Sequence, residues 1–137
     1  MPSVRDISID HLPQVRDLRG LLGVVEFGEW LPFDVIRLFY VLDVPPGTVR
    51  GNHAHRRCSQ YVICQSGRVR IDLSDGDEVL QFELIPGQAV LIEPGIFASE
   101  TYLDVGSVII VLCDRPYEKD DYIHTLEEFL ATVRADR

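Results

Sequence analysis

Two histidines, His53 and His55, stand one residue apart in the segment Arg50-Gly51-Asn52-His53-Ala54-His55. In extended backbone, residues two apart point to the same face, with their Cα atoms about 6.5–7 Å apart. Two imidazoles so placed converge on one small ligand, while Ala54 points into the layer behind. A neutral imidazole accepts a proton near physiological pH and an imidazolium returns one, so the pair suits proton transfer. The bland alternative is two surface histidines that titrate without consequence. Arg50, just upstream, adds a guanidinium whose fork matches phosphate oxygens.

The elements that must hold this pair read as short strands. Candidates are Val4–Ile9, Leu21–Phe27, Val35–Leu42, Gln60–Gln65, Arg68–Leu73, Val79–Glu83, Ala89–Ile92 and Ser107–Cys113, with further strands around His53 and around Phe97–Leu103. The breaks carry turn chemistry: Pro45-Pro46-Gly47, Ser66-Gly67, Asp75-Gly76, Pro86-Gly87 and Pro94-Gly95. Turns spaced by about ten residues suggest a sandwich or barrel. Near the C-terminus the period changes. Leu126, Phe129, Leu130 and Val133 recur at helical spacing, and Thr125 with Glu128 forms a capping box, which predicts a helix over Thr125–Arg134. Its apolar stripe is expected to pack on the barrel or on a second subunit. Trp30 and Phe33 read as barrel packing, Tyr117 and Tyr122 as anchors of the C-terminal segment, and His11 and His124 as surface residues.

The chain has 137 residues, of which 46% are hydrophobic, and this suits one domain spanning 1–137 with its own core. A net charge of −9 argues against a nucleic-acid partner, because phosphate backbones call for a basic face. No apolar run approaches the ~20 residues of a membrane span. No signal peptide is visible, and Cys58, Cys64 and Cys113 show neither metal nor redox spacing, so a cytoplasmic protein with reduced thiols is expected. Cys64 and Cys113 lie in apolar strands and read as core. Cys58 has no evident neighbour to activate it.

A His-x-His on a small β-barrel resembles the cupin superfamily. Its first motif carries two histidines and a downstream Glu, and its second brings a third His after Pro-x-Gly; together they bind Fe, Mn, Ni or Zn. Here Ser59 and Gln60 stand at the carboxylate position and Ala98 stands at the third histidine. Two ligands are too few, so a metal-free site without a cofactor is expected.

More closely, the chain resembles the dTDP-4-keto-6-deoxyglucose 3,4-ketoisomerases of deoxysugar biosynthesis, which are metal-free cupins. The resemblance runs through Asp17-Leu18-Arg19-Gly20, Leu31-Pro32-Phe33 and Arg37-Leu38-Phe39-Tyr40. It continues in Arg50–Arg56 with Gln60, and in Tyr117-Glu118-Lys119-Asp120-Asp121-Tyr122-Ile123. It implies an all-β, cupin-type jelly roll with a short C-terminal helix, forming a homodimer that exchanges N-terminal strands. It implies a dTDP-linked keto-deoxysugar as substrate and an activity that moves the keto group from C4 to C3. His53 and His55 would be catalytic, and Tyr40 and Gln60 would line the same pocket; an enediolate needs a donor, for which Tyr40, an Arg and an imidazolium are the candidates. Arg19, Arg37, Arg50 and Gln60 would bind substrate. Phe97 stands where many members carry Trp, keeping a stacking face but losing the indole N–H. The competing expectations are a sugar-nucleotide epimerase, a metal-dependent cupin and a non-catalytic nucleotide-sugar-binding module.

Overall fold

Alternating inward and outward side chains build the molecule from two antiparallel sheets. The computed structural model describes all residues, Met1–Arg137. Its strands are β1 (Ile9–His11), β2 (Gln14–Asp17), β3 (Gly20–Gly23), β4 (Arg37–Val41), β5 (Thr48–His55), β6 (Gln60–Ser66), β7 (Val69–Ser74), β8 (Val79–Leu84), β9 (Gln88–Ile92), β10 (Phe97–Tyr102), β11 (Val108–Cys113) and β12 (Tyr122–Ile123). They are followed by α1 (Leu126–Ala135). One five-stranded sheet runs β1-β9-β6-β11-β4 and the other β12-β5-β10-β7-β8. Packed face to face, they make the flattened barrel of a jelly roll, as expected of a cupin.

The core lies between the sheets. Val62 and Cys64 of β6, Ile109, Val111 and Cys113 of β11 and Val90 and Ile92 of β9 meet Val69, Ile71 and Leu73 of β7 and Ala98 and Tyr102 of β10. Cys64 and Cys113 are fully buried, as their apolar strands suggested. A second cluster covers the outer face of the first sheet. There Val25, Trp30, Leu31, Phe33 and Val35 pack on Tyr61, Ile63 and Leu112, so Trp30 and Phe33 pack outside the barrel rather than within it.

The C-terminal helix forms as its sequence predicts. The Thr125 hydroxyl accepts from the Glu128 amide at 3.1 Å, and Phe129 and Val133 are buried. With Ala54 and Ile123 they form a third cluster on the outside of the second sheet. Burial of each such side chain is worth about 1.5–3 kcal/mol.

Two strand expectations need correction. Val4–Asp6 is a 3-10 turn, and the strand begins only at Ile9. The buried Asp75 carboxylate accepts from the amides of Val4, Asp77 and Glu78, and that bond takes the Val4 amide away from strand pairing. The predicted strand Leu21–Phe27 stops at Gly23, because β3 pairs only with β2, a strand the sequence reading missed. Every residue of this hairpin is exposed, so no burial pattern marked it.

Candidate active site

The histidine strand carries a bulge that decides which way its side chains face. Gly51 and Asn52 both adopt positive φ, at 87° and 54°. Opposite them on β10, Ala98 pairs with His53, Ser99 with Gly51 and Glu100 with Arg50, and the register shifts between Ala98 and Ser99. Three positions of chain on β5 therefore span two on β10. In a regular strand Arg50 and His53 would face opposite sides. The bulge restores the phase, so Arg50, His53 and His55 all share the inner face with Ala98 and Glu100.

The two imidazoles meet edge to face, with ring centroids 5.0 Å apart. Tyr122 packs against both, at 5.1 Å from His53 and 4.5 Å from His55. This tyrosine arrives through β12, whose Tyr122 pairs with His55 and Ile123 with Ala54. Just before it, a 3-10 turn over Lys119–Asp121 buries Asp121. Asp121 Oδ2 lies 2.8 Å from His55 Nδ1, and Oδ1 accepts from the Arg57 amide at 2.6 Å. Burial raises the affinity of Asp121 for its proton, but its bonds to His55 and Arg57 win and hold it below the usual carboxylate range. An ionised carboxylate only accepts, so the proton of the neutral His55 ring sits on Nδ1 and its base is Nε2. That Nε2 is buried and has no hydrogen-bond partner within the chain. A buried acceptor left unmade is costly, and this one faces the inside of the barrel.

Burial and the neighbouring His55 pull the His53 imidazole down to about 4. His55 is also held below its ordinary value by burial, with Asp121 opposing. Both rings are neutral at physiological pH.

Facing them, one row crosses the first sheet: Ile92, Gln60, Cys113 and Arg37 are aligned in register. Gln60 Nε2 donates to the Cys113 sulfur at 3.8 Å and Arg37 donates to it at 3.6 Å. Arg37 also lies over the rings of Phe39 and Tyr117, at 5.5 and 5.9 Å. Its Nε is the other buried polar atom without a partner. The neighbouring Cys58 thiol, together with Arg37, lowers the Cys113 thiol, and Cys113 and burial push Cys58 up.

The structure thus brings together His53, His55, Arg37 and Gln60, with Arg50 farther along the same face of β5. Three residues named from the sequence lie elsewhere. Tyr40 is 64% exposed and points outward, because Arg37, Phe39 and Val41 take the inner face of β4. Phe97 also points outward, since its neighbour Ala98 faces in; its ring packs on Phe129 of the helix at 5.7 Å. Arg19 sits at the tip of the β2–β3 hairpin, largely exposed and paired with Asp17 at 2.6 Å.

Asp121 and Tyr122 were the omissions among site residues. Both lie inside the Tyr117–Ile123 run, but nothing in the local pattern shows that this run folds back against the histidine strand. His124, read as a surface residue, is exposed and stacks on Tyr122 at 5.6 Å. His55, Cys58 and Asp121 offer ligand atoms within 4.8 Å of one another. This set suits a metal poorly, because the Nδ1–carboxylate bond ties up two of the three.

Fold and site together define a cupin whose centre is built for moving protons on a small polar ligand. The chain belongs to the FdtA family, whose model, described as WxcM-like, C-terminal, matches residues 5–134. It is 28% identical over 120 residues to the TDP-4-oxo-6-deoxy-α-D-glucose-3,4-oxoisomerase of Aneurinibacillus thermoaerophilus, covering 87% of this chain and 86% of that one. Among solved structures it is similar to QdtA, a sugar 3,4-ketoisomerase from Thermoanaerobacterium thermosaccharolyticum in complex with TDP. There the TM-score is 0.89 and the identity 27%, with 98% of each chain covered. It is equally similar to a histidine-to-asparagine variant of that enzyme in complex with TDP-4-keto-6-deoxyglucose, with a TM-score of 0.89, 26% identity and 97% of each chain covered.

Proposed function

We propose that this protein is an isomerase that converts dTDP-4-keto-6-deoxy-D-glucose to a dTDP-3-keto-6-deoxyhexose. The observation that carries the reading is the neutral His53–His55 pair on the inner face of β5, with His55 held by Asp121 and its Nε2 free, in a chain of this family. The reaction removes the proton on C3, leaving an enediolate across C3 and C4. A proton is then delivered to C4, while the C3 hydroxyl gives up its own and becomes the ketone. Hydrogen is only relocated, so no external oxidant or reductant takes part. Neutral imidazoles are the right bases for the first step, and the imidazolium so formed is the right acid for the second. Asp121 holds the His55 ring in one tautomer and stabilises the charge it acquires.

Arg37 and Gln60 bind from the opposite sheet, and Arg50 from the histidine strand. The diphosphate anchors the ligand, and that remote binding energy orients the sugar over the imidazoles. The mechanism is metal-independent, a reading supported by the donor set: Gln60 and Ala98 replace the other cupin ligands.

The working form is a homodimer with exchanged N-terminal strands, and residues 1–137 form its single domain. Apolar side chains left exposed concentrate between positions 15 and 42: Val15, Leu18, Leu21, Leu22, Phe27, Ile36, Leu38 and Leu42. Such a run is covered in stable proteins. Pairing the β2–β3 hairpin with a second copy covers it and carries Arg19 to the partner's site. No helix of the chain is long and apolar enough to cross a membrane, and a sugar-nucleotide enzyme of this kind works in the cytoplasm.

Proton NMR of the protein with dTDP-4-keto-6-deoxyglucose in D₂O, with and without EDTA, tests the reading. The expected result is a 3-keto sugar that forms at the same rate in both. A ketone that stays at C4 while a neighbouring centre inverts would mark an epimerase instead, and a rate lost with EDTA would restore the metal.

A further inference from the structure

With Tyr40 on the outer face, one of the donors considered for the enediolate is out of reach. The inner face of β10 supplies another candidate. Glu100 is buried, 8% exposed, and stands two residues from Ala98, the cross-strand partner of His53. Its own partners are Arg50 on β5 and Ile71 on β7. It makes no ion pair, not even with Arg50. Gly51 exists where Glu100 lies: a Cβ there would run into Glu100 Oε2. A carboxyl placed between apolar core and a ligand-facing strand is costly as a structural element, because burial without full pairing is unfavourable.

We infer that Glu100 is a further residue of the sugar site, donating a hydrogen bond from its carboxyl to the sugar oxygen that becomes the enediolate. The inference rests on the ketoisomerase reading and adds a residue to it. Burial raises the carboxyl to about 7, with Arg50 opposing, so a large share carries its proton at neutral pH. The titratable and charged groups on the inner face of its own sheet are Arg50, His53 and His55 on β5, Tyr122 on β12 and Tyr102 on its own strand, and the opposite sheet presents Arg37, Cys64 and Cys113. Arg70 and Asp72 on β7 turn to the outer face, where they pair with each other. A neutral acid in a low-dielectric site strengthens its bond as charge develops on the acceptor, which is how such donors lower a barrier.

Two measurements test this. The first is the pH dependence of kcat for wild type, Glu100→Gln and Glu100→Met. The wild-type rate is expected to fall as pH rises through about 7, where the donor loses its proton. Glu100→Gln keeps a donor at every pH, so that alkaline limb should vanish while kcat at pH 6 stays within about tenfold. Glu100→Met keeps the volume without a donor, and its kcat should drop on the order of 10²-fold with KM little changed. A Met variant with wild-type kcat, or a wild-type rate that rises through pH 7 on Glu100, overturns the donor role.

The second reads the carboxyl directly, by ¹³C NMR of Glu-labelled His53→Asn protein assigned against Glu100→Gln. TDP-4-keto-6-deoxyglucose should move the Glu100 signal and TDP alone should not. An unmoved signal with bound sugar nucleotide overturns this inference and leaves the ketoisomerase reading standing. Failure of wild type to make any 3-keto product strikes that reading instead.

Discussion

His53 and His55 differ in what holds them, and this difference can be measured. His55 is tied to Asp121, whereas His53 has no carboxylate partner and is pulled down to about 4 by burial and by His55. Its imidazole therefore stays a competent base well into acid, and the acid limb of kcat/KM is expected near pH 4 rather than at the ordinary histidine value of 6.5. The same shift is a stability statement. Its folded value is lower than its unfolded one, so between about pH 6.5 and about pH 4 the unfolded chain binds more protons. His53 thus contributes stability that is present above pH 6.5 and lost as pH falls through that window. Denaturant titrations should show wild type losing stability relative to His53→Asn as pH falls from about 6.5 to about 4. Replacing Asp121 with Asn removes the group that fixes the His55 tautomer, and kcat should fall by on the order of 10²-fold or more. The matching readout is single-turnover kinetics, with TDP affinity unchanged.

At the scale of elements, the β5 bulge controls the site. Gly51 and Asn52 adopt positive φ, and the extra residue turns Arg50 to the same side as the histidines. Gly51→Ala would place its Cβ against Glu100 and 3.2 Å from the Ala98 carbonyl oxygen, in a backbone conformation that L residues avoid. It should cost about 1–3 kcal/mol of stability, visible as a lower Tm, and should displace Glu100 as well. The segment Glu118–Ile123 matters equally, since its turn and two-residue strand deliver Asp121 and Tyr122 to the histidine strand.

For the whole molecule, the proposed assembly turns on the exposed hairpin of β2 and β3. It pairs only with itself, yet it carries Val15 at 61% and Leu22 at 63% exposure. Leu22→Asp should convert the proposed dimer to monomer in sedimentation velocity while the far-UV circular dichroism stays that of a β protein. If Arg19 reaches the partner's site, the same variant should raise KM for the sugar nucleotide. A wild-type protein that sediments as a monomer at micromolar concentration would remove the exchanged-strand dimer.

Much of this was legible in the chain alone. Turn residues announced a sandwich or barrel, the family resemblance narrowed it to a jelly roll, the Thr125–Glu128 cap announced the helix, and the His-x-His spacing placed both imidazoles on one face. Those features are local, and local periods are what a sequence displays. Facing was not legible beyond a bulge or across a sheet. Tyr40 matched by type and spacing and Phe97 by spacing, in place of a Trp, yet each sits one residue out of phase with an inward neighbour, and a single step reverses the side. Asp121 and His55 are 66 residues apart and meet only because β12 pairs with β5. Glu100 looked like one more acidic residue in a chain of net charge −9. Only the tertiary structure set it on the inner face, because burial depends on which strands close around a side chain and not on the side chain itself.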